Sequence, residues 1–168
     1  MRKNADIDRE RGHISHDRRA EAMLRDLKRA GHKMTPQRIA LVRQFAGDDS
    51  HPTAQDLFER LQPAFPTMSF ATVYNTLDAL AAAGLSGMLR LGNAARFDPN
   101  TEAHHHAVCD GCGNVRDIAA TSLSPTSATV RKLRRAAPGF RVRAIERVYR
   151  GRCSACTSKG TKKLEPRS

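Results

Sequence analysis

Apolar side chains recur three and four positions apart through the first half of the chain. After Gly84 they fall into short runs bounded by turn residues. Ala20, Met23, Leu24 and Leu27 form an i, i+3, i+4, i+7 stripe, which predicts a helix over 17–29 stopped by Gly31. Thr35-Pro36 is a helix start, with Thr as cap and Pro at the first helical position. The helix it opens carries Ile39, Leu41, Val42 and Phe45 and stops near Gly47. Thr53 caps a third helix with Leu57, Phe58 and Leu61 on its apolar side, closed by Pro63. Ser69 caps a fourth, whose Phe70, Val73, Leu77, Leu80 and Ala81 share one face and which Gly84 ends. Its other face shows Ala71, Thr72, Asn75 and Asp78, with Tyr74 at the boundary. That slim polar face suits close approach to another surface.

Beyond Gly84, 85–91 and 94–98 read as two strands joined by Gly92-Asn93, a two-residue hairpin loop. Three helices and a hairpin, preceded by one more helix, are the order of a winged helix-turn-helix domain. A helical bundle capped by a hairpin fits the same pattern. The second half reads as strands at 106–109 and 115–118, and a helix over 127–137 with Val130, Leu133 and Ala137 inside. A strand over 140–149 follows, with a slip near Ala144. The expected class is therefore α+β: a winged helix-turn-helix domain over 17–98 and a small α/β domain over 99–157. The segments 1–16 and 158–168 lack apolar periodicity and are expected to be a disordered arm and tail.

Composition sharpens this in two ways. The 168 residues carry 5% aromatics and no Trp, so two small cores of this make-up need a metal or a second subunit. The net charge of +12 favours a polyanion. It is spread: residues 1–33 hold ten Lys/Arg against six Asp/Glu, 157–168 hold four against one, and the middle keeps +5. Neither an apolar leader core nor a run of about 20 apolar residues is present, so a cytoplasmic protein without a membrane span is expected.

The chemistry concentrates in 96–117. Cys109 and Cys112 form one Cys-x-x-Cys pair, and Cys153 and Cys156 a second. Four thiolates suit a closed, tetrahedral, structural Zn²⁺ site. A redox dithiol is the rival, and it needs a helix N-terminus that neither pair clearly has. His104 and His106 alternate, so on a strand they face one side and His105 the other. With Asp98 a short loop away and Asp117 on the next strand, imidazole and carboxylate donors suit Fe²⁺, Mn²⁺ or Zn²⁺. The bland alternative is a solvated polyhistidine loop. His51, before Pro52, reads by itself as a turn residue.

In order and spacing, AGHKMTPQR, HPTAQDLFERL, SFATVYNTLDALAAAGL, RFDPNTEAHHHAVCDGC and CSAC resemble the ferric uptake regulator family of metal-dependent repressors, across about 20–157. The resemblance implies a winged helix, a C-terminal α/β dimerisation domain, and a metal-loaded homodimer that represses at inverted-repeat DNA operators. It implies no enzymatic activity. It places Cys109, Cys112, Cys153 and Cys156 on the structural zinc, and His51, Asp98, His104, His106 and Asp117 on a regulatory Fe²⁺ or Mn²⁺. His105 matches no ligand. Lys33 resembles the family's minor-groove lysine, and on the fourth helix Thr72, Tyr74 and Asn75 are expected to contact bases or phosphates. Asp98, where iron-uptake members usually show Glu, and Asn75, where they show Arg, look like the peroxide-responsive branch. That branch implies oxidation of His51 or His104 when bound Fe²⁺ meets hydrogen peroxide. An iron- or zinc-uptake repressor is the alternative within the family, and a non-haem metalloenzyme the alternative outside it. The basic arm at 1–16 departs from the pattern.

Overall fold

Local capping chemistry fixes where the helices begin in the computed structural model, which describes residues 3–91, 94–120, 127–140 and 147–158. Helix α2 (Pro36–Ala46) starts after Thr35, whose hydroxyl accepts the Arg38 N–H. Helix α3 (Ala54–Leu61) opens on a reciprocal capping box between Thr53 and Asp56. Helix α4 (Phe70–Ala82) is capped by Ser69, which accepts from Thr72. Each cap answers backbone donors that the first turn leaves without partners.

Helix α1 differs from expectation. It spans Lys3–Arg29, so its first half runs through the stretch expected as a disordered arm. Extending a helix already seated by its second half adds one hydrogen bond per residue fixed. Residues 3–16 contain no proline to stop it. The apolar stripe lies where expected, with Ala20, Met23 and Leu27 buried.

The chain divides into two compact units, 1–101 and 102–168. In the first, Met23 and Leu27 of α1 meet Leu41 and Phe45 of α2, Leu57 of α3 and Leu77 of α4 in one apolar core. Strands β1 (Gly87–Leu91) and β2 (Ala94–Asp98) form an antiparallel hairpin, Leu91 opposite Ala94. The Gly92-Asn93 turn lies outside the described residues. Phe97 closes the core from β2 at 1% exposure. Phe70, expected inside with Val73 and Leu77, is 43% exposed and stacks against Phe58 and Tyr74. Its place in the first turn of α4, ahead of the buried stripe, lets the ring lie across the surface.

In the second unit, β3 (His104–Cys109) is the central strand. It runs antiparallel to β4 (Val115–Ala119) and parallel to β5 (Val148–Gly151). Helix α5 (Ser127–Ala136) precedes β5, and the single-turn α6 (Ser154–Thr157) follows it. Two expectations fail here. Leu133 and Ala137, expected inside, are exposed; Val130's side chain lies outside the described part. Phe140, expected to begin a strand, lies outside any strand at 68% exposure, and the expected slip near Ala144 falls outside the described residues. An amphipathic pattern shows which face seeks cover; it does not say that this chain supplies it. The described buried hydrophobic residues of this unit are only Val108, Cys109 and Val115, a core that needs support beyond burial.

Candidate metal centres

The second unit brings its four cysteines together. Cys109 and Cys112 flank the turn leaving β3, and Cys153 and Cys156 flank the start of α6. All four are thiols, and their sulfurs lie within 4.8 Å of one another. Cys112 and Cys153 are 3.8 Å apart. Sulfurs bound at 2.3 Å in a tetrahedron stand about 3.8 Å apart, whereas a disulfide needs about 2.05 Å. The donor set therefore fits a closed Zn²⁺ site.

Backbone geometry prepares it. The Cys153 N–H donates to Cys109 Sγ at 3.3 Å. That bond, then those from the Cys112 and Gly111 backbone, hold the Cys109 thiol down at about 6, although burial opposes them. The Cys156 thiol is pushed up to about 12, chiefly by its hydrogen bond with Cys112. Clustered sulfurs resist becoming thiolates together unless a cation joins them. Contrary to expectation, one pair does meet a helix start: Cys153 is the N-cap of α6. With one turn of helix and four sulfurs at tetrahedral spacing, this favours metal binding over dithiol exchange.

A second donor group occupies the other face of the β3–β4 pair. His106 stands opposite Asp117 in the register. The Nε2 atoms of His104 and His106 are 2.8 Å apart, and Asp117 Oδ1 is 3.7 Å from the first and 4.0 Å from the second. His104 Nδ1 lies 2.6 Å from the Glu102 carbonyl. A proton on Nδ1 then leaves the Nε2 lone pair facing His106. Two nitrogens held about 2.1 Å from one ion at a right angle sit about 3 Å apart, so the pair fits chelation. His105 turns the other way, buried at 1% and 6.4 Å from the Tyr149 ring.

The first unit holds a His–Asp pair. His51 Nε2 lies 3.4 Å from Asp98 Oδ2, both side chains buried. Asp98 Oδ1 accepts the Asn100 N–H at 2.8 Å, which orients the carboxylate with Oδ2 toward the imidazole. His51 is the one described non-glycine residue with positive φ, at 54°. Its carbonyl accepts from Arg96 Nη1 at 3.0 Å. Sequence reasoning passed over Arg96. Its signal was present, one position before the Phe97-Asp98 pair on the same strand, but its partner lies 45 residues away.

Of the residues expected at DNA, Tyr74 and Asn75 project from α4 into solvent and Lys33 is exposed before α2. Thr72 is half-buried, its hydroxyl 2.9 Å from that of Ser69. Arg38, also passed over, donates to the Thr76 hydroxyl at 3.1 Å and to the Lys33 carbonyl, tying the loop before α2 to α4. Among the described residues no helix is long and apolar enough to cross a membrane.

Comparison with known proteins gives these sites a setting. The ferric uptake regulator family model matches residues 29–138. The peroxide-responsive repressor of Staphylococcus epidermidis is 34% identical over 145 residues, covering 86% of this chain and 94% of that protein. The peroxide operon regulator of Bacillus subtilis is 37% identical over 137 residues, 81% of this chain and 92% of that one. The crystal structure of the Campylobacter jejuni peroxide stress regulator aligns with a TM-score of 0.60 at 27% identity. It covers 79% of this chain and 98% of that one. The winged-helix unit with its separate α/β unit is thus the architecture of these regulators, and the chain belongs to the ferric uptake regulator family.

Proposed function

We propose that the chain is a metal-dependent DNA-binding transcriptional repressor that senses hydrogen peroxide. The observation that carries this reading is the His51–Asp98 pair. A buried imidazole and carboxylate face each other at 3.4 Å within the same unit as the exposed face of α4. His104, His106 and Asp117 form the complementary group in the second unit. Both groups close on one Fe²⁺ or Mn²⁺, so that ion binding restrains the two units, while Cys109, Cys112, Cys153 and Cys156 hold a structural Zn²⁺. An ion that binds the restrained arrangement more tightly shifts the population toward it.

The residues on α4 then do the reading. Thr72, Tyr74 and Asn75 contact base edges or phosphates in the major groove, with Lys33 beside them. An Asn–adenine pair contributes about 1–3 kcal/mol of discrimination. Homodimerisation through the second unit places two copies of α4 on the halves of an inverted repeat, about 34 Å per turn apart. Exposed Leu133, Phe140, Val148 and Tyr149 are the apolar surface for that contact. Fe²⁺ held by His51, Asp98, His104, His106 and Asp117 would supply one-electron reduction of peroxide, which Mn²⁺ does not readily give. His51 and His104 are the imidazoles that would take up one oxygen atom of peroxide, the other leaving as water, and their loss as ligands would release the restraint. Cytoplasmic residence follows from this role.

An iron- or zinc-uptake repressor is the second reading, favoured only if Asp98 tolerates those signals. One series of gel shifts separates them. Zinc-loaded protein is tested on its operator with Mn²⁺, with Fe²⁺, and with Fe²⁺ plus peroxide. Binding in the first two arms and loss in the third supports peroxide sensing. Binding insensitive to peroxide supports metal-uptake control, and no metal dependence removes both.

A further inference from the structure

His51 sits in a backbone conformation that its neighbours have to maintain. At φ 54° it occupies the left-handed region, which side-chain-bearing residues seldom adopt, although His is among the more tolerant. Pro52 follows, and a residue before proline is pushed toward extended backbone instead. Left alone, this turn would relax and carry the imidazole away from Asp98.

Three consecutive residues of β2 prevent that. Arg96 pairs with Thr53 as an antiparallel bridge, and its Nη1 donates to the His51 carbonyl at 3.0 Å. The Phe97 N–H donates to the Pro52 carbonyl at 2.9 Å. Asp98 presents Oδ2 to His51 Nε2. The strand and the turn are thus laced residue by residue, and the donor pair forms the open end of the lacing.

We infer that Arg96 is a positioning residue for the regulatory metal: its guanidinium, by holding the His51 carbonyl, fixes the left-handed turn that aims the His51 imidazole beside Asp98. This rests on the metal-responsive reading above. Arg96 itself carries no ligand atom, and as a cation it opposes a divalent ion by simple Coulomb repulsion. The two effects have opposite signs. Neutralising Arg96 tightens metal binding if only its charge matters, and weakens it if the brace matters.

The test is calorimetric titration of Mn²⁺ into zinc-loaded full-length protein. Wild type is compared with Arg96→Gln, His51→Ala and the double variant. The brace predicts Mn²⁺ binding about tenfold weaker in Arg96→Gln, the scale of outer-shell effects on metal sites. It predicts no further weakening when His51 is already Ala. Equal or tighter binding in Arg96→Gln overturns the inference, as does the same loss in the His51→Ala background. A wild type that takes up no second ion overturns the metal-responsive reading itself and is recognised before any variant is compared. If thermal unfolding shows that Arg96→Gln does not fold, Arg96→Met takes its place. It keeps the packing stem and loses the donor, and the same outcomes decide.

Discussion

Tyr74 of α4 meets Phe97 of β2 edge-on, ring centroids 6.4 Å apart and planes at 85°. Phe97 is the residue before Asp98, so a side chain on the outward face of the helix touches the strand that carries a candidate ligand. Tyr74→Leu should cost fold stability no more than about 1 kcal/mol, the worth of an aromatic pair. It should weaken operator binding by tenfold or more. Phe97→Ala should instead cost about 3–5 kcal/mol of stability, as truncation of a buried ring does. Denaturation and fluorescence anisotropy read the two quantities. A Tyr74→Leu protein with undiminished operator affinity would remove Tyr74 from the DNA interface.

Gly111 is needed beside the thiol cluster because a Cβ there would stand 3.0 Å from Cys156 Sγ and 3.6 Å from Cys109 Sγ. Gly111→Ala should fold but release zinc to a chromogenic chelator several-fold faster than wild type. Cys109→Ser should lose the metal and the second unit's cooperative unfolding together. Retention of stoichiometric zinc by Cys109→Ser would contradict the four-sulfur assignment.

Asp56 gives the first unit an acid-sensitive cap. Burial raises its pKa, but the N–H and hydroxyl of Thr53 outweigh this, with Arg96 and Arg60 adding to them. The net shift is down from 3.8. A carboxyl lowered by folding contributes stability that is complete above the unfolded value. It is lost as the pH falls through 3.8 and then through the lower folded value. Asp56→Asn should therefore lower stability slightly near pH 7, solvent screening keeping the effect small, and flatten its decline below about pH 5. Parallel acid limbs in the two proteins would show that Asp56 is not the group responsible.

Peroxide added to Fe²⁺-loaded protein should increase the mass of peptides carrying His51 or His104 by one oxygen atom. The same treatment of Mn²⁺-loaded protein should leave them unchanged. Complete loss of operator binding with both peptides intact would point to another sensor.

Phe140→Asp together with Leu133→Asp should turn a dimer into a monomer in light scattering without unfolding the second unit. Persistence of the dimer would move the interface elsewhere.

The sequence made the helix starts legible because capping is local: Thr35, Thr53 and Ser69 each act within three residues of themselves. The alternation of His104, His105 and His106 likewise put His104 and His106 on one strand face and His105 on the other. What escaped depends on distant partners. The left-handed turn at His51 answers to Arg96, and Leu133 and Phe140 stay exposed because nothing among the described residues covers them. The extra length of α1 escaped for another reason: helix propagation needs no apolar stripe, and the stripe was the signal sought.

The parallel pairing of β3 with β5 imposes an order on assembly. β3 already carries both imidazoles of its donor pair, yet its neighbour on one side and half of the sulfur cluster lie about 40 residues further along, Cys153 being 44 residues beyond Cys109. During synthesis the histidine strand therefore emerges long before the cysteines that complete its support. Closing so long a loop is the slow step of such a topology. If the four cysteines hold zinc as proposed, the histidine strand gains its parallel neighbour and its staple only after the last of them has been made.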